Sequence, residues 1–165
     1  MSEQIRVRAT VADDWAEYRS IRLAMLEDSP NAFQETLWRA RFRTERGWRK
    51  RCGRNPLKAI TVVAIVSQRW VGTASAYLDG GGAMLVAVYV VPEFRGTTWS
   101  VLDALLDAVE RWAHERVEFV TLLVHEDNLR ARRAYEKRGY QATGRGVPSS
   151  RNRRQTELEM QKRLA

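Results

Sequence analysis

The residues from Val86 to Ser100, V-A-V-Y-V-V-P-E-F-R-G-T-T-W-S, constrain this chain more than any other stretch. An apolar run ends at Pro92, a charged turn of Pro92-Glu93-Phe94-Arg95-Gly96 follows, and an apolar-periodic helix begins near Trp99. A buried strand that enters a short loop and then a helix start gathers backbone N–H groups about one point, which suits an anion. The pyrophosphate of a nucleotide-like cofactor is what such a loop would hold. A plain strand-to-helix connection in an α/β domain is the alternative.

At 165 residues the chain suits one domain, residues 1–165, with a single sizeable core. The formal charge of +8 and a pI near 10.2 favour anionic partners such as phosphorylated cofactors, nucleic acid or acidic surfaces. Only Lys50, Lys58, Lys137 and Lys162 are lysines, so arginine carries most of that charge, and the arginines are spread through every segment. No apolar run approaches the ~20 residues of a membrane helix, so no membrane partner is expected. The N-terminus lacks the apolar core of a secretory signal, and the cytoplasm is the expected compartment. Cys52 is the only cysteine and His114 and His125 the only histidines, which excludes an intrachain disulfide and a Cys-rich zinc site. No metal is expected.

Ile5, Val7 and Ala9 alternate with polar residues as a short half-buried strand. From Asp13 to Glu27, apolar residues recur at three- and four-residue spacing, an amphipathic helix stopped by Asp28-Ser29-Pro30-Asn31. A second, less regular helical stretch runs from about Glu35 to Arg51, with Gly47 weakening its middle. Residues 59–66 and 70–78 read as paired strands, and Asp79-Gly80-Gly81-Gly82 as a flexible link to a third strand over 84–91. Val101, Leu102, Leu105, Leu106, Val109, Trp112 and Ala113 define one helix face. Residues 119–124 make another strand, 128–138 a basic helix stopped by Gly139, and Tyr140 opens a closing β region with Leu158 and Met160 in the last strand. The fold class is therefore mixed α/β with an antiparallel first half.

A second informative stretch is Val124-His125-Glu126-Asp127-Asn128-Leu129-Arg130-Ala131, continuing to Tyr135, Gly139 and Tyr140. Together with Val90-x-Pro92-x-x-Arg95-Gly96, it resembles the GNAT superfamily of N-acetyltransferases, bacterial type. Val124, Asn128, Ala131, Tyr135, Gly139 and Tyr140 meet every spacing of that family's V-x-x-x-N-x-x-A-x-x-x-Y-x-x-x-G-F/Y pattern.

The resemblance implies a mostly antiparallel sheet of six to seven strands flanked by about four helices, with the central strands splayed. It implies acetyl-CoA as co-substrate, its pantetheine amides paired with the main chain at Val88 and Val90. The pyrophosphate would lie over Arg95, Gly96, Thr97, Thr98, Trp99, Ser100 and Val101. Asn128 matches the position that hydrogen-bonds the cofactor, with a helix N-cap as its other role. Tyr135 matches the general acid for the departing thiolate, with a core tyrosine as its other role. The sequence departs from the family's small-residue loop at Thr98 and Ser100, and a β-branched Thr tolerates positive φ poorly. The general base is unassigned: Leu123 stands where some relatives carry glutamate, and His125, Glu126, Glu93 and water are the candidates. The acceptor, a primary amine of a small molecule or of a protein or peptide N-terminus, is expected between the first two helices, the Asp79 to Ala83 link and the loop around Pro148, with Phe33, Trp38 and Tyr77 as apolar walls. A non-catalytic acyl-CoA-binding member and a basic nucleic-acid-binding module, the latter without a recognised motif, are the alternatives. A homodimer is compatible with all of these.

Overall fold

A computed structural model describes residues 3–165. Its strands are β1 (Arg6–Ala9), β2 (Ala59–Val66), β3 (Arg69–Asp79), β4 (Gly82–Val90), β5 (Phe119–His125), β6 (Gln141–Pro148) and β7 (Thr156–Arg163). Its helices are α1 (Trp15–Asp28), α2 (Leu37–Arg41), α3 (Glu45–Cys52), α4 (Val101–His114) and α5 (Leu129–Lys137). The strands form one sheet in the order β1-β2-β3-β4-β5-β7-β6, antiparallel except for the β4–β5 pair. Parallel neighbours need a crossover, and α4 supplies it.

The expected second helix is two helices, and the helix count rises from about four to five. Thr44 breaks the run: its Oγ1 accepts from the Gly47 N–H at 3.2 Å and starts α3 as an N-cap. Gly47 lies in that first turn rather than mid-helix. The expected flexible link at residues 79–82 is a tight hairpin, with Gly80 and Gly81 both at positive φ.

β3 is fully buried from Val71 to Ala76, which places packed side chains on both of its faces. Helix α4 covers β2 and β3 with Val101, Leu105, Leu106 and Val109, none of them exposed. The first turn of α4 comes close because residue 72 has no side chain. A Cβ there would sit 2.9 Å from Val101 Cγ1 and 3.0 Å from both Leu105 Cδ1 and the Tyr89 carbonyl. Helix α1 buries Tyr18, Ile21, Met25 and Leu26, and Tyr18 meets Trp48 of α3 edge-on at 5.9 Å.

The pairing of β4 with β5 is short. It covers Ala83 with Val120, Met84 with Thr121 and Leu85 with Leu122, and then stops. Beyond that point β4 stays on β3 as far as Val90, and β5 stays on β7 as far as His125. The two central strands diverge, as the splayed sheet requires. At the divergence β4 carries a bulge, with register lost between Thr73 and Ser75 of β3 and Ala87 at φ +54°.

Candidate active site

The gap between the diverging strands continues into a cleft of about 750 Å³, roofed on one side by the start of α4 and on the other by α5. That volume falls within the range of small-molecule sites. Val88, Val90, Arg95, Gly96, Thr97, Ser100, Asn128 and Tyr135 all line it. Thr98 and Trp99 do not. They border a separate depression with Glu3, Gln4 and Ile5, and the Trp99 ring packs on Phe94 at 4.9 Å. Val101 is wholly buried and does not line the cleft either.

The free strand edge follows from alternation. The Val91 N–H donates to the Val71 carbonyl at 2.9 Å, so residue 91 faces β3 and residue 90 faces the gap. Tyr89 pairs with Thr73, which turns Val88 to the gap as well. Neither residue has a strand partner on that side; the Val90 carbonyl already accepts from Arg95 Nε at 2.8 Å, which leaves the Val90 N–H and the Val88 backbone for a ligand with amides of its own.

The loop after β4 holds its shape with two left-handed residues, Gly96 at φ +96° and Ser100 at φ +52°. Thr98 keeps an ordinary φ, so the strain anticipated there falls on Ser100. Glycine adopts this conformation freely; serine does so at a cost of order 1 kcal/mol. The Ser100 hydroxyl donates to the Thr97 carbonyl at 3.1 Å and does not cap α4. Among the described residues no side chain caps the first N–H groups of α4, the Ala104 N–H being the first to pair, with the Ser100 carbonyl at 3.1 Å, and the positive end of a fourteen-residue helix points at the loop.

Arg95 is held in place rather than free. Its Nε donates to the Val90 carbonyl at 2.8 Å, its Nη2 meets Asp28 at 2.5 Å, and the guanidinium lies over the Tyr89 ring. The hydrogen bond from Arg95 holds the Asp28 carboxyl below its ordinary pKa. Free positive charge in the cleft comes instead from Arg130, Arg133 and Lys137 along the exposed face of α5. Among the described residues these three cations pair with no carboxylate, so the cleft offers positive charge beside the helix N–H groups.

Asn128 caps α5, its Oδ1 accepting from the Ala131 N–H at 3.2 Å, and it also borders the cleft. The cap therefore leaves it on the cleft wall. Tyr135 packs edge-on against Tyr140 at 5.7 Å. Burial pushes its phenol up to about 12, and its hydroxyl bonds to no described residue while it faces the cleft.

The three candidate bases all have other work. His125 Nδ1 accepts from the Asp127 N–H at 3.2 Å and Nε2 lies 3.1 Å from Gln155 Oε1, an arrangement that fits the Nε2–H tautomer. Glu126 Oε1 accepts from the Thr156 N–H at 3.0 Å. Glu93 is exposed, bonded to Arg69 at 3.0 Å, and held below its ordinary pKa by its own backbone N–H and by Arg69. None lines the cleft. Of the expected acceptor walls only Phe33 does; Trp38 is 69% exposed on α2, and Tyr77 with the residue 79–83 turn lies at the paired end of the β3–β4 hairpin.

Sequence reasoning missed the clamp that fixes the cleft walls. Arg138, at the end of α5, reaches Asp103, Asp107 and Glu110 of α4. Glu110 also takes Lys162 at 2.8 Å and the Tyr140 hydroxyl at 3.0 Å. The signal was present as acidic residues at helical spacing on α4, opposite the basic end of α5.

Residues 18–140 match the family described as the acetyltransferase (GNAT) family. Among solved structures, an acetyltransferase of the GNAT family from Streptococcus pneumoniae is 16% identical, with a TM-score of 0.80 over 98% of this chain and 100% of that one. The ribosomal-protein-S18-alanine N-acetyltransferase of Escherichia coli is 15% identical, with a TM-score of 0.69 over 98% and 95%. The PaiA N-acetyltransferase of Thermoplasma acidophilum, solved in complex with coenzyme A, is 16% identical, with a TM-score of 0.66 over 97% and 99%. No curated protein sequence gives a significant match. At such identities the structural likeness establishes the fold.

Proposed function

Because the chain belongs to the GNAT family of acetyltransferases, we propose that it transfers the acetyl group of acetyl-CoA to a primary amine by direct attack on the thioester. The observation that carries this reading is the divergence of β4 from β5 after Leu85 and Leu122, beside an uncapped α4 N-terminus. Val88 and Val90 would pair with the amides of the pantetheine arm. The first turn of α4, with Gly96, Thr97 and Ser100, would take the pyrophosphate, and Arg130, Arg133 and Lys137 would neutralise the phosphates.

Tyr135 acts on the leaving group. A phenol at about 12 is a weak proton donor to a thiolate whose conjugate acid lies near 8.5, but it is a ready hydrogen-bond donor. Its role is therefore to steady negative charge on the departing sulfur. Since His125, Glu126 and Glu93 are each engaged elsewhere, the amine loses its proton to cleft water. The rate at sub-saturating acceptor should then climb with pH until the amine itself is neutral.

Acetyl-CoA binding by calorimetry, followed by CoA release with a panel of amines, tests the reading. Binding and amine-dependent release are expected. No detectable binding of any acyl-CoA would sink it, and binding without amine-dependent release would mark an acyl-CoA-binding member without turnover.

A further inference from the structure

The positive surplus is uneven across the molecule. Residues 37–54, which contain α2 and α3, carry eight arginines and lysines against a single acidic residue, Glu45. Arg43 and Arg51 share the half-buried Glu35 with Arg22 of α1, and Arg49 takes Glu45 and Asp13. Arg39, Arg41 and Arg46 stay exposed, with no carboxylate partner among the described residues.

Between these arginines, α2 displays Trp38 and Phe42, 69% and 72% exposed, their rings 5.0 Å apart. The pair sits one turn apart on a helix whose only buried residue is Ala40. Two large aromatic side chains that cover each other and otherwise face water take no part in the core. The loop between β6 and β7 approaches the same region. Arg151 donates to the Phe33 carbonyl at 3.1 Å and the Glu35 carbonyl at 3.0 Å, and the neighbouring Arg153 and Arg154 are exposed without a carboxylate partner among the described residues. Phe33 lines the cleft and lies four residues before α2, so Arg151 ties the cleft edge to the segment that leads into this face.

We propose that this face docks an acidic, partly apolar polypeptide segment, and that the acceptor amine is carried on that polypeptide. The inference rests on the acetyl-transfer reading above. Guanidinium forks match carboxylates, and exposed aromatics with arginine form the anchors of protein interfaces. A second copy of this chain fits poorly, because a two-fold contact would set the same arginines against one another. Nucleic acid supplies negative charge but not the nucleophile. The exocyclic amines of bases share their lone pair with the ring, whereas lysine side chains and chain N-termini keep theirs.

The test uses the full chain and a fluorescein-labelled peptide of Glu and Leu with one Lys, read by anisotropy, beside a counterpart with Arg in place of Glu. The acidic peptide should bind, with a Kd that rises with salt, and the basic one should not. Replacing Trp38→Ala and Phe42→Ala together should raise that Kd about tenfold or more. Because both side chains are exposed, the fold should persist, and acetyl-CoA should raise the melting temperature of this variant as much as that of the parent. Arg39→Glu with Arg41→Glu should weaken the peptide similarly. If acetyl-CoA raises the melting temperature while the acidic peptide fails to bind, the docking inference falls and the cleft reading stands. If the peptide binds and acetyl-CoA has no effect, the cleft reading falls, and with it the claim that the peptide brings the acceptor. Tighter binding of a single-stranded oligonucleotide at the same face, or loss of self-association as the sole effect of the aromatic substitutions, overturns the inference as well.

Discussion

Strands β4 and β5 are one pair of strands with two different ends. At the first end, Ala83 to Leu85 lie in register with Val120 to Leu122, and Leu85 and Leu122 are buried at 3% and 2% exposure. At the other, the same strands part, and Val88 and Val90 turn backbone without a strand partner toward a cleft. Composition does not separate the ends, since both are apolar and β-branched or aliphatic. The bulge at Ala87 does, by bending β4 while β3 keeps hold of it. A sheet can thus be spent on stability at one end and on recognition at the other, without any change in residue type.

The largest expected effect tests the paired end. Leu122→Ala should cost about 3 kcal/mol in urea denaturation, from lost burial plus a cavity, and leave acetyl-CoA affinity nearly intact. A fall in affinity matching the loss of stability would break the distinction. Tyr135→Phe probes the open end: kcat should drop roughly tenfold to a hundredfold, with KM for acetyl-CoA and the melting temperature little changed, because the hydroxyl supports no protein partner. A large loss of stability instead would make Tyr135 a core residue only.

The bulge itself allows a finer comparison. Ala76→Gly on regular, buried β3 should cost about 1 kcal/mol, whereas Ala87→Gly should cost almost nothing, since glycine relieves the left-handed φ. Equal losses would show that the bulge does not relax at that residue. The smallest effect is electrostatic. Asp28 has a lowered folded pKa, so its pairing with Arg95 stabilises above the ordinary carboxylate range and is lost as pH falls through the lowered value. Amide exchange near pH 3 should quicken around Arg95 before it quickens at Leu85, an effect below about 1 kcal/mol for a partly exposed pair.

Element order and most strand limits were legible, because apolar periodicity and the Gly and Pro stops act locally. Residues 124–140 also identified the helix that bears Asn128 and Tyr135. Ala87 was not legible: alanine is ordinary in a strand, and only tertiary packing drives it to positive φ. Thr98 drew attention as a β-branched residue in a tight loop, yet the loop places its strain at Ser100. His125 and Glu126 looked like bases because residue type shows a titratable group but not its partners, which arrive from β7 and the loop before it. The break at Thr44 could have been read, since a threonine three residues ahead of Gly47 is a cap pattern.

The absent side chain at residue 72 has a consequence for how this protein tolerates change. Gly72 sits on β3 beneath the first turn of α4 and lines no part of the cleft. Any other residue must push Val101 and Leu105 outward, and the helix start that faces the cleft moves with them. In a survey of all single substitutions scored by growth or turnover, position 72 should therefore group with the cleft residues, although it meets neither reactant. Alanine, the smallest possible intrusion, should already press on Val101, Leu105 and the Tyr89 carbonyl from behind the helix start.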